Sequence, residues 1–451
     1  MSKDIHIRRG SNLNLEGEAN KILVDIPVSK TFALNPDDFF NITPKLIVKE
    51  GDSVKKGSPL FFSKHNPRIH FVSPVSGEVT AIVRGAKRKI LQVVVTSDGL
   101  NEAVTHEVPN VESLDAEAIK EIILKSGSWP FIKQRPYNTV AQPEDSPKSI
   151  FISTYATAPL DVDFNFLLKN NKDDFKRGIS ILNKLTTGDV NITVEESFRG
   201  FFDSIDDAKI IGVSGPHPSG NVGVQIHNVD PINYGEKVWV INPEDVVNIG
   251  LLFSTGQFSA QRTLAVVGSS VGKPQYYKAT IGAALQPYLE ASLVNNDEEV
   301  RVINGDVLSG SISSEEGYVG FYNNVVSVIP EGNHFRMFGW LPFVDNHVPS
   351  ISRTSFSWLF GSKKSKVTTN LNGEERALVV TGEMEKVFPM NIFPMQLIKA
   401  CMVEDIERME ALGIYEVVPE DFGLIDYAST SKIEAQDIIK KGIELMIKEV
   451  G

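Results

Sequence analysis

The sequence predicts an α+β multidomain protein: a sandwich of paired hairpins, an α/β domain, a small β-grasp module and a helical C-terminal domain. Three observations carry this. The chain has 451 residues, beyond the roughly 250 to 300 at which a single core stops growing. Between Pro44 and Arg84 the apolar residues come in short blocks bounded by Gly, Pro or Asn, the pattern of short strands and tight turns. From Asp115 strand-like and helix-like stretches alternate, and after Lys386 only helical spacing remains, so the mixed part comes first and the helical part closes the chain. The boundaries read from these shifts are 1–105, 106–255, 256–332 and 333–451.

Composition narrows the function. With 41% hydrophobic and 23% charged residues the chain is composed like a globular protein rather than a disordered or fibrous one. A formal charge of −12 argues against a nucleic-acid partner, which needs a basic face to displace counterions. The N-terminus lacks an apolar signal segment and no apolar run nears the ~18 residues of a spanning helix, so a cytoplasmic location is expected. Cys401 is the single cysteine, which excludes an internal disulfide, a four-cysteine zinc site and an all-cysteine iron–sulfur cluster.

In the first domain, "EGDSVKKGSPL" and "SPVSGEV" form two similar strand–turn–strand units. They resemble the biotinyl and lipoyl carrier fold, in which the modified lysine stands at a hairpin tip eight residues before the proline of the second motif. Counting back from Pro74 reaches Asn66, and Lys64 lies two residues too early. A modifying enzyme reads a lysine at one place on a rigid turn, so the domain is expected to be a scaffold.

In the second domain "DAEAIKEIILKSG" predicts a helix ending at Gly127, and "SIFISTYATAPL", "AKIIGVSG" and "KVWVINPEDVVNIGLLFSTG" supply strands with helices between them. The loop "GVSGPHPSGNVG", Gly212 to Gly223, carries glycines, but two prolines and His217 interrupt them and no amphipathic helix is expected to open after it. It therefore reads as an ordered structural loop rather than a phosphate cradle, which needs a helix N-terminus. His217 and His227 lack acidic or thiol neighbours at ligand spacing and read as hydrogen-bonded structural histidines.

In the third domain Gly268, Ser270 and Gly272 match G-x-S-x-G, but Lys273 and Pro274 follow where a nucleophile elbow needs a helix. Ser270 reads as part of a turn. Strands and one short helix over 256–332 suggest the β-grasp module. In the last domain Ile438, Ile439, Ile443 and Ile447 share helical spacing.

The order of the four parts resembles the flavin- and NADH-binding subunit of respiratory complex I and its counterpart in the Rnf complex. Where those relatives hold a glycine-rich flavin loop this chain has "GSWPFIKQRP", Gly127 to Pro136, and their cluster cysteines are missing. Along the full length, "KGSPLFFSKHNPRIHFVSPVSGEVTAIVRGAKRKILQ", "SGPHPSGNVGVQIH", "RVINGDVLSG", "FGWLPF" and "GEMEKVFPMNIFP" resemble the NqrA family, one of the subunits of the bacterial sodium-translocating NADH:quinone reductase (Na+-NQR). The tail "DYASTSKIEAQDIIKKG" departs from that family's more usual "CPGKYxYG" pattern. The resemblance implies a biotinyl/lipoyl-like barrel-sandwich hybrid, a Rossmann-like α/β domain and an SLBB-like β-grasp module. It also implies a peripheral subunit on the cytoplasmic face of the inner membrane, in a six-subunit pump that reduces ubiquinone or menaquinone and exports sodium. No redox cofactor is expected to be tightly bound in this chain. FMN, riboflavin, the iron–sulfur centre and NADH are expected in other subunits, and the flavin-attachment signature Ser/Thr-Gly-Ala-Thr is absent, Tyr155 standing in "TYAT" where glycine is required.

A quinone needs an apolar slot and one or two donors for its carbonyl oxygens. "SWPFIKQRPYNT" offers Trp129, Phe131 and Tyr137 as ring neighbours and Lys133, Arg135 or Tyr137 as donors, so the stretch reads first as a loop packing the sandwich against the α/β domain and, as the alternative, as a quinone-facing loop; no catalytic residue and no metal ligand is expected. The basic turn Arg84, Lys87, Arg88 and Lys89 is either a solvated hairpin tip or a contact for an acidic sister subunit, and a membrane-embedded sister subunit is among the partners the resemblance implies. Two other classes stay open: a stand-alone flavin- or NADH-dependent reductase, and a lipoyl or biotin carrier.

Overall fold

The structure, a computed structural model, describes residues 4–27, 29–294, 298–332, 349, 351 and 364–451. The stretch "FGWLPF" and most of the linker expected from 333 lie outside the described residues.

The hairpin sandwich forms as the alternation predicts. Strands Thr31–Leu34, Ile90–Ser97, Gly77–Arg84 and Ser53–Val54 make one sheet, and Pro44–Leu46, Pro59–Ser63 and His70–Val72 the other. Leu60, Phe61, Phe71, Val79 and Val93 fill the space between them.

The α/β domain is built on a sheet in the order Ile5–His6, Lys209–Ser214, Val190–Glu195, Ser149–Ser153, Val238–Ile241, Ile132–Arg135, Thr139–Val140. The first five run parallel, Ile132–Arg135 runs against them, and Thr139–Val140 pairs antiparallel with Ile132–Arg135. Ile150, Ile152, Ile192, Val194 and Trp239 are fully buried, as befits parallel strands covered on both faces. Ser149–Ser153 comes first in sequence among the four long parallel strands. The next two lie on one side of it and Val238–Ile241 on the other, so the strand order reverses between Ser149–Ser153 and Val238–Ile241. Open α/β sheets bind ligands in the crevice beyond the carboxyl ends at such a reversal.

Helices Lys172–Asn183 and Pro243–Thr255 cross on one face. Their backbones touch: a methyl group on Gly178 would stand 2.2 Å from the Val246 carbonyl oxygen, and one on Gly250 1.9 Å from that of Asp174. Helix Ala116–Ser126 is capped by Asp115, which accepts from the Ala118 amide at 2.8 Å, and stops at Gly127 with φ +78°, a conformation open to glycine at little cost. Any side chain on Gly127 would collide with Val72 of the sandwich, so this helix end is also where the first two domains dock.

The third sheet runs Ser311–Ser313, Val300–Asn304, Val325–Pro330, Gln261–Val267, Gln275–Thr280, Asn20–Val24, accompanied by helix Gln286–Ala291. The tail packs helices Pro394–Met402, Ile406–Ala411 and Ala435–Glu449 around Leu397, Ile398, Met409, Ile439, Ile443 and Met446; Ile438 and Ile447 are only partly buried at its edge.

Two expectations need correction, on the loop Gly212–Gly223 and on 129–137; within 1–105 the N-terminal segment joins other sheets, since Ile5–His6 pairs with Val213 and Ser214 in the α/β sheet and Asn20–Val24 pairs with Gln275–Tyr277 in the β-grasp sheet. Edge pairing over more than two hundred residues leaves no local trace. A helix, Val222–Val229, does open after the Gly212–Gly223 loop. It has only eight residues, too few for periodicity to betray it. The stretch 129–137 is not a loop: a 3-10 turn at Trp129–Phe131 leads into strand Ile132–Arg135.

Replacing Gly178 by Ala is expected to lower stability by about 1–3 kcal/mol through overpacking of the helix crossing. A denaturant midpoint shift at unchanged slope checks it.

Candidate functional site

A cleft of about 230 Å³ lies where the strand order reverses, walled by the α/β domain, the β-grasp module and the helical tail. Ser153 and Ile241, at the carboxyl ends of the two central strands, open onto it. Tyr155, Thr157 and Asp161 line it from the loop after the first strand, Lys133 and Arg135 from the antiparallel strand, Asp306 and Tyr322 from the β-grasp module, and Glu420 from the tail.

Strand alternation decides which of the five expected quinone-facing residues reach this cleft. Lys133 and Arg135 lie two apart in Ile132–Arg135, so they share a face, and both line the cleft. Gln134 faces the other way, donating to Asp145 Oδ2 at 2.8 Å and accepting from Trp239 Nε1 at 3.1 Å. Trp129 and Phe131 are core residues. The Trp129 indole donates to the Ala141 carbonyl at 2.7 Å and its ring meets Trp239 edge-on, while Phe131 stacks between Phe258 and Phe321. Tyr137, at φ +79°, packs against Tyr415 in the helical tail. The structure thus brings Lys133 and Arg135 to the cleft and places the other three in packing.

The donors on that wall are under-used. Arg135 is 2% exposed; Nη2 donates to Glu420 Oε1 at 2.9 Å, while Nε and Nη1 have no partner among the described residues. Lys133 Nζ sits 4.5 Å over the Tyr322 ring, and no hydrogen-bond acceptor meets it among the described residues. Burial lowers its pKa, because a low-dielectric site disfavours the ammonium form. On the far wall burial first, then the charge of Asp306, raises the Asp161 carboxyl to about 7.

His217 is also buried, its Nδ1 3.2 Å from Thr157 Oγ1, and burial lowers its pKa. His227 Nε2 accepts from the Asn391 amide at 3.0 Å, which leaves the ring proton on Nδ1 to be donated to Glu416 at 2.7 Å. Both are hydrogen-bonded histidines, as expected. Among the described residues no cluster of His, Cys, Asp and Glu could hold a metal. Burial raises the Cys401 thiol to about 11, so it is no thiolate at neutral pH. Ser270 sits in a turn, donating to Glu298 Oε1 at 3.1 Å, and a strand rather than a helix comes next.

At the carrier-like turn Asn66 Nδ2 donates to Glu144 Oε2 at 2.9 Å and Gln142 Oε1 at 3.3 Å, and Arg68 pairs with Glu121 and Glu144. The turn is docked on the α/β domain, whereas a swinging carrier arm needs a free tip. In the basic turn Lys89 pairs with Asp37 at 2.7 Å, while Arg84, Lys87 and Arg88 are exposed with no carboxylate partner among the described residues.

The cleft's two halves are tied together beneath it. Arg262, from strand Gln261–Val267, is fully buried and its Nη2 donates to Asp245 Oδ1 at 2.8 Å and to the Phe321 carbonyl at 2.7 Å. Glu244 beside it accepts from the Thr263 amide and hydroxyl and from Asn324 Nδ2. Glu244 and Asp245 open helix Pro243–Thr255, capped by Asn242. Burial raises both carboxyls, Asp245 to about 6, and Arg262 opposes the shift.

Three family models match the chain: the NqrA N-terminal barrel-sandwich hybrid domain over 5–98, the NqrA second alpha/beta domain over 114–258, and the NQRA C-terminal domain over 263–315. Curated relatives bearing the name of the NqrA component of the Na(+)-translocating NADH-quinone reductase match it end to end. That of Neisseria meningitidis serogroup A is 34% identical over 450 residues, covering 99% of this chain and 100% of its own. Those of Psychromonas ingrahamii and Haemophilus influenzae are each 33% identical, over 454 and 458 residues, with the same coverage.

Replacing Arg262 by Met is expected to cost about 3–5 kcal/mol, because it strands two buried carboxylates. The sign of the pH dependence follows from their raised values. Native protein holds more protons than unfolded protein, so the carboxyls favour folding at acid pH, and that contribution is lost as pH rises through about 6 for Asp245. Without Arg262 the loss should steepen, which melting followed across pH will show.

Proposed function

The chain belongs to the NqrA family of the Na(+)-translocating NADH-quinone reductase, and from that premise we propose that it serves as a peripheral subunit on the cytoplasmic face of that pump, contributing assembly surfaces and a contact for quinone. No described helix is long and apolar enough to cross a membrane, which suits a peripheral placement. The flavins, the iron–sulfur centre, NADH and the sodium path belong, in this reading, to other subunits. The stretch that stands where complex I subunits hold flavin supports it: Trp129 and Phe131 fill the core and Ile132–Arg135 uses its amides in strand pairing, leaving no glycine-lined cradle for phosphates. The exposed Arg84, Lys87 and Arg88 turn is a surface suited to an acidic sister subunit.

The observation that carries the quinone reading is the pair of under-used donors, Lys133 and Arg135, in a cleft that Tyr155, Phe164, Val240, Leu308 and Tyr322 line with apolar surface. A quinone headgroup offers a flat ring for such walls and carbonyl oxygens for such donors.

Calorimetric titration of the isolated chain with a one-isoprene ubiquinone tests it. Saturable binding is expected, weakened roughly tenfold when Lys133 and Arg135 are both replaced by Met, since about one net hydrogen bond is lost per carbonyl contact. Unchanged affinity in a folded double variant would contradict the placement.

A further inference from the structure

The two long walls of the cleft differ in chemistry. One presents donors: the Lys133 amine, which meets no acceptor among the described residues, and a buried Arg135 guanidinium whose Nε and Nη1 meet none there either. Buried donors of this kind are seldom left unmet. The other presents two acids from different domains, Asp161 on the loop after strand Ser149–Ser153 and Asp306 on the turn after strand Val300–Asn304.

The two acids are held differently. Asp306 is committed as an acceptor, with Oδ1 taking the Leu308 and Ser309 amides at 2.7 and 3.1 Å and Oδ2 the Ser309 hydroxyl at 2.5 Å. Among the described residues Asp161 accepts only the Val162 amide, at Oδ1, and its second oxygen is uncommitted. Two carboxyls that feel each other in a half-buried cleft do not both ionise cheaply, and the free oxygen of Asp161 is the place for the remaining proton. A simple anion suits the donor wall but is repelled by Asp306. A cation suits the acids but not Lys133 and Arg135. A neutral ring with an acceptor at each end suits both walls.

We propose that a quinone lies across the cleft with one carbonyl oxygen on Lys133 and Arg135 and the other accepting a hydrogen bond from the uncommitted oxygen of the Asp161 carboxyl. This rests on the quinone reading above and gives it an orientation and a positioning acid. The other charged groups near Asp161 are His217, whose pKa burial lowers, Glu420, engaged by Arg135, and Asp163, paired with Lys21 at 2.5 Å.

The test is the affinity of the intact chain for a one-isoprene ubiquinone from about pH 5.5 to about pH 8.5. Affinity should be level at acid pH and fall roughly three- to tenfold as Asp161 ionises, the cost of one hydrogen bond. Asp161→Asn keeps an N–H donor and does not titrate, so it should bind with the wild-type acid affinity at every pH. Asp161→Leu should bind weakly throughout. Ionisation of Lys133 would leave the wild-type slope intact in Asp161→Asn, so a slope that survives the substitution overturns the proposal, as does a flat wild-type profile. Absence of quinone binding at every pH would overturn the quinone reading itself, whereas binding with no dependence on Asp161 overturns only the orientation.

Discussion

The fully buried Arg262 and the two carboxylates it meets, Glu244 and Asp245, set the geometry on which the cleft depends. The acids begin the helix that follows strand Val238–Ile241, at the reversal of strand order, and the arginine belongs to the β-grasp sheet. Their contact fixes one wall of the cleft against the other. A buried ion cluster adds little net stability over an apolar contact of the same shape, yet it is costly to break. Its consequence here is positional: Tyr322 and Asp306 of the β-grasp module are held at the cleft that Lys133 and Asp161 of the α/β domain line. Acidic residues in a first helical turn are also favoured by the helix dipole, so local and long-range demands agree.

The second constraint is the period of a strand. Because Ile132–Arg135 is a strand rather than a loop, its polar residues separate into Lys133 and Arg135 on the cleft and Gln134 in an interior network with Trp239 and Asp145. The bulky residues before it then have nowhere to go but the core. Trp129 and Phe131 form part of the joint between the hairpin sandwich, the α/β domain and the β-grasp module, through Trp239, Phe258 and Phe321.

How much of this could be read from the sequence follows the range of the interactions. Helix Ala116–Ser126, with its aspartate cap and terminal glycine, was legible because every signal lies within thirteen residues, Asp115 to Gly127. The missing carrier lysine at Asn66 was legible because a turn motif has fixed spacing. The N-terminal strands were not, since Ile5 pairs with Val213 and Val24 with Tyr277. In the cleft, Lys133 and Arg135 were found by residue type, but Asp161, Asp306, Tyr322 and Glu420 were missed. Glu420 meets Arg135 across 285 positions, and nothing local marks it. The one usable signal was topological: loops after the central parallel strands are where ligands bind, and Asp161 lies on such a loop.

The central claim is that the interdomain cleft at the strand reversal, rather than another surface of this chain, receives the quinone headgroup. The most direct test is an experimental structure of the chain soaked with a short-tailed ubiquinone. Ring density between Tyr155 and Tyr322, with one carbonyl oxygen toward Lys133 and the other toward Asp161, is the expected result. An empty cleft with quinone ordered elsewhere on the chain would contradict it.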